Sequence, residues 1–531
     1  MSDTPSRTVK SATFEFLRAR GMTTVFGNPG STELSFLRDW PADFRYVLGL
    51  QEGVVVGMAD GYAQATGGAA FVNLHSAAGV GNALGAIFTA YRNQTPLVIT
   101  AGQQARSLLP WRPFLGATAA AEFPKPYVKW SSEPARPQDV PVAIAQAYNI
   151  AMQKPWGPAF VSVPSDDWDV AAEPVLPQTK SQALGPDPIP LRALAEALAR
   201  SKRAAIVIGA AVDRDGAYDL AIELAETLTA AVWAAPMISR RTFPEDHALF
   251  AGFLPSSPDQ VSATLAAYDL VLVLGAPIFT YHVPGRFTLP SAGIPVFQIT
   301  DDPEAAAWAP LGTSILATPR LALETLLTLV PRSQREPPAP RTPSPRVAPA
   351  DPMSGEYVMQ AIAEARGGSS IVLEEAPSHR DHLQRYLPTR RGDEYYAMAS
   401  GGLGFALPAS VGVALARPGK RVIAVLGDGS VMYAIQALWT AAQHKLPLCV
   451  VVLNNGGYGA MRAFSKRYNT GPLPGVDVAG LDFVALARGH GCDGRRIERA
   501  ADLPAALTQA MTTEGPVVLE VLVSQATTRL N

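Results

Sequence analysis

The sequence of 531 residues contains little that would indicate a secreted, disulfide-rich or membrane protein. It has only two cysteines, Cys449 and Cys492, which excludes a disulfide framework and a CxxC metal pattern. The opening stretch MSDTPSRTVKSATFEFLRARG lacks the apolar core of a signal peptide, and no run of about 18 apolar residues could span a membrane. We therefore expect a cytoplasmic protein with no membrane partner.

The chain also lacks a concentration of charge of one sign. Its 44 basic and 46 acidic residues leave a net charge of −2, with no long run of either sign. Nucleic-acid affinity draws on clustered Lys and Arg, so we expect no nucleic-acid partner. With 48% hydrophobic and 17% charged residues, the composition is typical of a folded globular protein.

Short runs of β-branched residues alternate with Ala- and Leu-rich amphipathic stretches along the whole chain. This alternation predicts βαβ units. The candidate strands are TTVFGN, YVLGL, AAFVNLHS, PLVITAG, PAFVSVPSD, RAAIVIGAA, AAVWAAP, YDLVLVLGAP, IPVFQITDD, SSIVLEEA, RVIAVLGDGS, LCVVVLNN and PVVLEVLV. The alternation indicates an α/β fold with three doubly wound parallel-sheet domains, because 531 residues exceed what one core can hold. A proline-rich stretch predicts an extended linker at residues 336–354. The predicted domains are therefore residues 1–180, 185–335 and 355–531.

One acidic residue stands out within an apolar segment. Residues 47–58 are apolar or small, except for Gln51 and Glu52. A buried carboxylate costs several kcal/mol unless it is paired or protonated. Glu52 is therefore expected to meet either local backbone groups or a ligand.

A second polar group lies in the last third of the chain. The stretches RVIAVLGDGS and LCVVVLNNGG each predict a strand with a polar carboxyl end, at Asp428 and Asn455. Neighbouring parallel strands would bring these ends together. A carboxylate, an amide oxygen and a backbone carbonyl suit Mg²⁺, and Gly427 and Gly429 allow close approach. The alternative is that Asp428 caps a helix and NNGG is a tight turn.

These motifs belong to longer stretches that resemble a known family. GDGS followed by NN resembles the diphosphate motif of thiamin diphosphate enzymes. The wider chain is similar to the benzoylformate decarboxylases, within the pyruvate decarboxylase and acetolactate synthase superfamily. The matching stretches include TVFGNPGSTEL, FRYVLGLQE, GMADGYAQA, NLHSAAGVGNALGA, GPAFVSVPSDDWD, LVLGAPIFTYH, GGLGFALPASVG and VIAVLGDGS. Matches of this extent are far more specific than a single glycine motif.

The resemblance implies a fold, a reaction, cofactors and an assembly. The implied fold is pyruvate decarboxylase-like, with an N-terminal pyrimidine-binding domain, a central domain and a C-terminal diphosphate-binding domain. The implied reaction is the non-oxidative decarboxylation of an aromatic 2-keto acid, benzoylformate to benzaldehyde and CO₂, through a thiamin diphosphate ylid and enamine, and it is compatible with carboligase side activity. The implied cofactors are thiamin diphosphate and Mg²⁺ (or Ca²⁺). The implied assembly is a homotetramer, a dimer of dimers with active sites at the dimer interface.

The same resemblance assigns the cofactor contacts. Glu52 of one subunit is implied to meet the aminopyrimidine ring of a cofactor held by its neighbour. Leu403 is implied to enforce the bent cofactor shape, and the Gly401 carbonyl to meet the pyrimidine amine. The implied metal ligands are Asp428, Asn455 and the carbonyl of Gly457. The other implied contacts are Ser378, Gly427, Gly429, Ser430, Tyr433 and Tyr458. One departure is Pro377, which stands where relatives offer a hydroxyl.

The resemblance also implies which residues bind the substrate and transfer protons. Ser31 matches the contact to the substrate carboxylate, although by itself it would be a helix N-cap. His75 and His282 match the two proton-transfer positions, which suits a side chain that titrates near neutrality. A lone histidine at a strand end is otherwise structural. The implied apolar wall of the substrate pocket consists of Phe114, Leu115, Ala460, Met461 and Phe464.

Alternatives from other classes stay open. An acetolactate synthase-like carboligase, an acyl-CoA lyase or an aliphatic 2-keto acid decarboxylase would share the cofactor motifs. The paired histidines favour a decarboxylase over the carboligase and the lyase, and the preferred 2-keto acid stays open. A nicotinamide dehydrogenase is disfavoured, because Gly79 and Gly81 are followed only by Gly85 and no acidic residue lies where a ribose hydroxyl would need it. A non-catalytic relative is disfavoured because Glu52 and both histidines are retained.

Overall fold

The computed structural model describes residues 7–176, 178–289 and 293–525. Its strands form three parallel sheets of six strands each, with helices between most consecutive strands. These sheets confirm the α/β fold class predicted from the sequence. They take up residues 24–164, 204–316 and 371–522, while the exact domain limits given above stay predictions.

The first sheet has the strand order β2-β1-β3-β4-β6-β5. Its elements are α1 (Val9–Ala19), β1 (Thr24–Gly27), α2 (Leu34–Leu37), β2 (Arg45–Leu48), α3 (Glu52–Thr66), β3 (Ala70–Leu74), α4 (Ser76–Arg92), β4 (Leu97–Gln103), β5 (Trp130–Ser132), α5 (Val140–Ala151) and β6 (Ala159–Pro164). A short 3-10 helix, Ser31–Glu33, precedes α2.

The second sheet has the order β12-β11-β10-β7-β8-β9. Its elements are α6 (Pro188–Arg200), β7 (Ala204–Ile208), α7 (Ala210–Arg214), α8 (Tyr218–Leu228), β8 (Ala231–Ala234), β9 (Phe250–Phe253), α9 (Pro258–Leu265), β10 (Leu270–Leu274), β11 (Val296–Thr300), α10 (Pro303–Ala307), β12 (Thr313–Leu316) and α11 (Pro319–Leu329).

The third sheet has the order β14-β13-β15-β16-β18-β17. Its elements are α12 (Gly355–Ala365), β13 (Ile371–Glu375), α13 (Arg380–Tyr386), β14 (Glu394–Ala397), α14 (Ala406–Ala416), β15 (Val422–Gly427), α15 (Asp428–Met432), α16 (Ala437–Gln443), β16 (Leu448–Asn454), α17 (Gly459–Tyr468), α18 (Phe483–Gly489), β17 (Asp493–Ile497), α19 (Leu503–Thr512) and β18 (Val517–Leu522). Residues 336–352, ahead of α12, form neither helix nor strand.

The central strands of each sheet are apolar runs because helices cover both faces. Strands β4, β7, β10 and β13 are buried along their full length.

A close crossing of α3 and α14 joins the first sheet to the third. A methyl group at Gly61 would overlap the backbone of Ala409, and one at Gly412 would overlap the carbonyl of Met58. This crossing fixes α3, whose first residue is Glu52, against the C-terminal part of the chain.

Two further findings concern the sequence predictions. Ser31 is not a helix N-cap, because the 3-10 helix begins at Ser31 and its N-cap is Gly30, whose N–H is taken by the Glu33 carboxylate at 2.8 Å. Among the described residues, no helix combines the length and apolarity needed to cross a membrane.

Candidate active site

The carboxyl ends of β15 and β16 bring Asp428 and Asn455 together. The two strands are parallel neighbours, with Gly427 opposite Leu453. Asp428 Oδ2 accepts hydrogen bonds from the N–H groups of Asn455 at 3.2 Å and Gly457 at 2.9 Å. Burial raises the pKa of the Asp428 carboxyl, and the backbone N–H groups oppose that shift. The N-cap of α15 is Gly427, so Asp428 does not serve as the helix cap.

The donors at this corner fit a hard cation. Asp428 and Asn455 are both buried. Gly457 adopts φ +147°, a backbone conformation that residues with a side chain rarely adopt. One carboxylate, one amide and one carbonyl are the oxygen donors that Mg²⁺ and Ca²⁺ prefer. Within the described ranges no cluster of three or more His, Cys, Asp or Glu offers an alternative metal site.

Small residues make a cradle beside this corner. A methyl group at Gly459 would lie 2.7 Å from Ser378 Oγ and 2.9 Å from Asn455 Nδ2. One at Gly429 would lie 2.5 Å from the ring of Tyr458. The Tyr458 hydroxyl is hydrogen-bonded to Tyr433, and burial raises its pKa. The next residue of α15, Ser430, is buried.

A buried carboxylate holds the turn that carries Leu403. The Glu375 carboxylate accepts hydrogen bonds from the N–H groups of Gly404, Phe405 and Ala406 at 2.7, 2.8 and 2.7 Å. Burial raises the pKa of Glu375 to about 7, and the three N–H groups oppose that shift.

The same turn presents its neighbouring groups to two cavities. Gly401 adopts φ +75° and lines a cavity that also contains His282. Leu403 is half-buried and lines a narrow cavity of about 150 Å³ together with Gln51, Asn82 and Tyr433. The turn that carries Leu403 therefore borders both cavities.

A cavity of about 470 Å³ lies beside the corner and contains His282. The His282 ring stands edge-on to Phe464, with 5.1 Å between the ring centroids. Its wall is mixed. The apolar lining residues include Met237, Leu254, Pro377, Met398 and Ala460, and the polar ones include Arg92, Tyr281, Arg380, Asp381 and Gln384. The cavity thus places His282 against an apolar wall on one side, with charged groups elsewhere in the lining.

Three other predicted residues form a separate group in the first domain. Glu52 is buried, and its carboxylate accepts hydrogen bonds from Asn28 at 3.2 Å and Asn82 at 2.9 Å. His75, the N-cap of α4, has Nδ1 2.9 Å from Glu33 Oε2. Ser31 is exposed, and its hydroxyl makes no hydrogen bond with the described residues. The local backbone groups considered as partners for Glu52 are therefore not what its carboxylate meets.

The structure therefore divides the predicted site residues between two places. Ser31, Glu52 and His75 do not line the cavity that contains His282. Of the five predicted wall residues, Ala460 and Phe464 line it. The other three lie outside it: Met461 is 46% exposed, Phe114 is 99% exposed, and Leu115 lies beside α4, where its carbonyl accepts a hydrogen bond from Ser76 at 2.6 Å.

Sequence reasoning missed several residues of the site. These are Glu375, Tyr281 and Met398, since their contacts and their place in the cavity wall depend on the fold. The segment VLEEA does place two acids at the end of a predicted strand, which could have drawn attention to Glu375.

The three parts of the chain each match a domain of the thiamine pyrophosphate enzymes. The N-terminal TPP-binding domain matches residues 7–121, the central domain residues 191–326, and the C-terminal TPP-binding domain residues 376–521. A benzoylformate decarboxylase of Pseudomonas aeruginosa is 45% identical over 97% of this chain and 98% of its own length.

Two solved structures agree with this assignment. Benzoylformate decarboxylase from Polynucleobacter necessarius superposes with a TM-score of 0.96 at 39% identity, covering 99% of this chain and 100% of that one. A thiamine diphosphate-dependent 4-hydroxybenzoylformate decarboxylase of Rhodococcus jostii gives a TM-score of 0.94 at 44% identity, covering 97% and 99%. The chain therefore belongs to the thiamin diphosphate-dependent enzymes of the benzoylformate decarboxylase family.

Proposed function

We propose that this protein is a thiamin diphosphate-dependent decarboxylase of an aromatic 2-keto acid, and that it converts benzoylformate to benzaldehyde and CO₂. The observation that carries the proposal is the cavity in which His282 stands against Phe464 on a partly apolar wall, beside the corner formed by Asp428 and Asn455. An apolar wall suits an aryl group. It also favours loss of CO₂, because charge separation decreases as the carboxylate leaves.

The chain's own residues suit the binding of the cofactor and a divalent cation. Asp428, Asn455 and the Gly457 carbonyl would hold Mg²⁺, and Mg²⁺ would hold the diphosphate. Gly427, Gly429, Ser430 and Ser378 would surround the diphosphate, with Tyr433 and Tyr458 beside it. Bound thiamin diphosphate supplies a carbon nucleophile and an electron sink. Leu403 would support its rings, in a turn that Glu375 holds in place.

The remaining roles concern protons and the substrate. Glu52 would hold a proton at the aminopyrimidine ring, and its bonds to Asn28 and Asn82 keep its carboxylate in place. The free hydroxyl of Ser31 would anchor the substrate carboxylate. His282 would donate a proton to the keto oxygen, and His75 would deliver the proton to the carbon that loses CO₂.

We further propose that two copies of the chain assemble each active site. Glu52, Ser31 and His75 do not line the cavity of their own chain, so they would serve the cavity of a neighbour. The exposed Phe114 and the half-buried Leu115 would complete the apolar wall from the same side. A dimer is then the smallest active unit, and the proposed tetramer pairs two such dimers.

The proposal is tested by the substrate range of the purified protein. Aldehyde formation is followed with thiamin diphosphate and Mg²⁺ for benzoylformate, pyruvate and a branched-chain 2-keto acid. We expect saturable, cofactor-dependent release of benzaldehyde with benzoylformate clearly preferred. Turnover of only the aliphatic acids would contradict the aromatic assignment. Absence of decarboxylation despite bound cofactor would favour a carboligase or an acyl-CoA lyase instead.

A further inference from the structure

A polar cavity of about 290 Å³ lies where the three domains meet. Its lining comes from the end of α3 and the segment before β4 in the first domain, from α7 and the segment before β9 in the second, and from β14 and the end of α14 in the third. None of the residues proposed above for catalysis or cofactor binding lines it. The cavity is thus a separate feature that the decarboxylase activity does not explain.

The lining contains four guanidinium groups and two carboxylates. Asp213 is shared by Arg240 at 2.9 Å and Arg241 at 2.5 Å. Glu394 pairs with Arg417 at 3.1 Å, and Arg214 has Asp301 behind it at 3.1 Å. Because one carboxylate serves two guanidinium groups, the cavity wall keeps an excess of positive charge.

Several of the arginine nitrogens are not used by the protein. Arg417 donates only through Nε, to Glu394. Arg240 donates through Nε and Nη1, to Asp213 and Gln64, and Arg241 through Nε and Nη1, to Asp213 and the Asp393 carbonyl. Among the described residues, Nη2 of Arg240 and of Arg241 and both Nη groups of Arg417 have no acceptor, and Arg214 Nε is buried without a partner. The donors therefore exceed the acceptors available from the chain.

We propose that this junction cavity binds a phosphoryl oxyanion, supplied as inorganic phosphate or as the phosphate of a small phosphomonoester. Guanidinium groups that come from two domains need more acceptor oxygens than the two of a carboxylate, and phosphate offers them. A water molecule takes up about 30 Å³ in the liquid, so 290 Å³ admits a phosphate with some waters or a small ester. A bound oxyanion would link the second domain to the third.

The test is a calorimetric titration of the holoenzyme, saturated with thiamin diphosphate and Mg²⁺ so that the diphosphate site is filled. Inorganic phosphate and phenyl phosphate are titrated separately at constant ionic strength. We expect saturable binding of one phosphoryl group per chain. We also expect phosphate to raise the midpoint temperature of thermal unfolding. Equal affinity for the two compounds identifies the free ion as the ligand, while tighter binding of phenyl phosphate identifies an ester.

Three variants make the titration specific to the cavity. Arg417→Gln is expected to weaken phosphate binding about tenfold, since it removes a charge-assisted donor. Arg496→Gln is the matched control, because Arg496 forms a similar ion pair, at 3.1 Å to Glu520, with similar exposure, and it should bind phosphate like the unmodified protein. Glu394→Gln removes a negative charge from the wall and should strengthen binding, which a loss of folding could not imitate.

The outcomes decide the proposal independently of the enzyme's activity. Absence of saturable phosphate binding to the holoenzyme would overturn it. Equal binding by the Arg417→Gln and Arg496→Gln variants would also overturn it, because the anion would then bind elsewhere.

Discussion

Glu52 is the residue whose role the structure constrains most closely. Its two oxygens are held by the side-chain amides of Asn28 and Asn82, and within the described part of the chain Glu52 has no ion pair. In the proposed site this carboxylate would meet the aminopyrimidine ring of the cofactor. The apolar segment around Glu52 predicted a buried carboxylate that needs a partner, whereas the two asparagines could not be identified from spacing.

The first prediction concerns the charge of Glu52. Glu52→Gln keeps the size and can accept from one of the two asparagines, so we expect normal folding and a kcat about 100-fold lower or more, as for loss of a general acid–base group. The measurement is benzaldehyde release at saturating cofactor. Glu122→Gln, an exposed carboxylate paired with Lys125, is the control and should keep full activity. Comparable rates for the two variants would contradict the proposed role.

A second residue-scale prediction distinguishes His282 from an ordinary histidine. His282→Ala should lower kcat about 100-fold and alter the pH profile of kcat, since it removes a proton donor from the cavity. His247 lies in the same domain and contacts Glu226 at 3.2 Å outside the cavity, so His247→Ala should leave both readouts unchanged. Unaltered kinetics of the His282 variant would show that the ring serves only to pack against Phe464.

The third prediction concerns Glu375, which holds the turn before α14. Glu375→Gln replaces one acceptor oxygen by an amide that faces backbone N–H groups, so the turn with Leu403 should loosen. We expect affinity for thiamin diphosphate to fall about tenfold, corresponding to about one lost charge-assisted bond. Quenching of intrinsic fluorescence by the cofactor measures this affinity. Glu364→Gln, at an exposed ion pair with Arg346, should bind the cofactor normally, and an unchanged affinity in the Glu375 variant would contradict the positioning role.

The fourth prediction concerns a buried histidine pair at the start of α13. His379 and His382 face each other with 3.2 Å between their Nδ1 atoms, and burial lowers the pKa of His379 to about 4. The unfolded chain therefore takes up a proton near pH 6.5 that the folded chain resists. The pair's contribution to stability is present above about pH 6.5 and is lost as the pH falls toward 4.

Thermal unfolding at a series of pH values measures this effect. We expect the midpoint to fall between pH 7 and pH 4.5, and His379→Gln to reduce that fall by about 3 °C. His490→Gln, on the half-buried end of α18, should leave the fall unchanged. Parallel pH curves for the unmodified protein and the His379 variant would contradict the prediction.

At the scale of elements, the sequence predicted the central strands but not most edge strands. Strands β7, β10 and β13 are long apolar runs that alternate with helices. The strands that were not predicted are β5, β9, β12, β14 and β17, and all five lie at sheet edges. Several are only partly buried, as β17 shows with four of its residues at least partly exposed. An edge strand has one paired side and often one covered face, so its composition does not distinguish it from a loop.

At the scale of the whole molecule, the pairing of Asp428 with Asn455 could be predicted because topology alone determines it. Parallel strands joined by a helical crossover must place their carboxyl ends at one edge. Topology alone could not predict that Glu52 and His75 lie outside the cavity that contains His282. In the proposed dimer, this division of the site residues would depend on which surface of the first domain meets the neighbouring chain, and no local pattern encodes that choice.

The same division allows the central claim to be tested by subunit complementation. Glu52→Gln and His282→Ala chains are coexpressed in equal amounts, and benzaldehyde release from benzoylformate is compared with that of each variant alone. A mixed dimer contains one site with both Glu52 and His282 intact, so we predict about a quarter of the unmodified rate, since half of randomly paired dimers are mixed. Activity no higher than that of the separate variants would contradict an active site built from two chains.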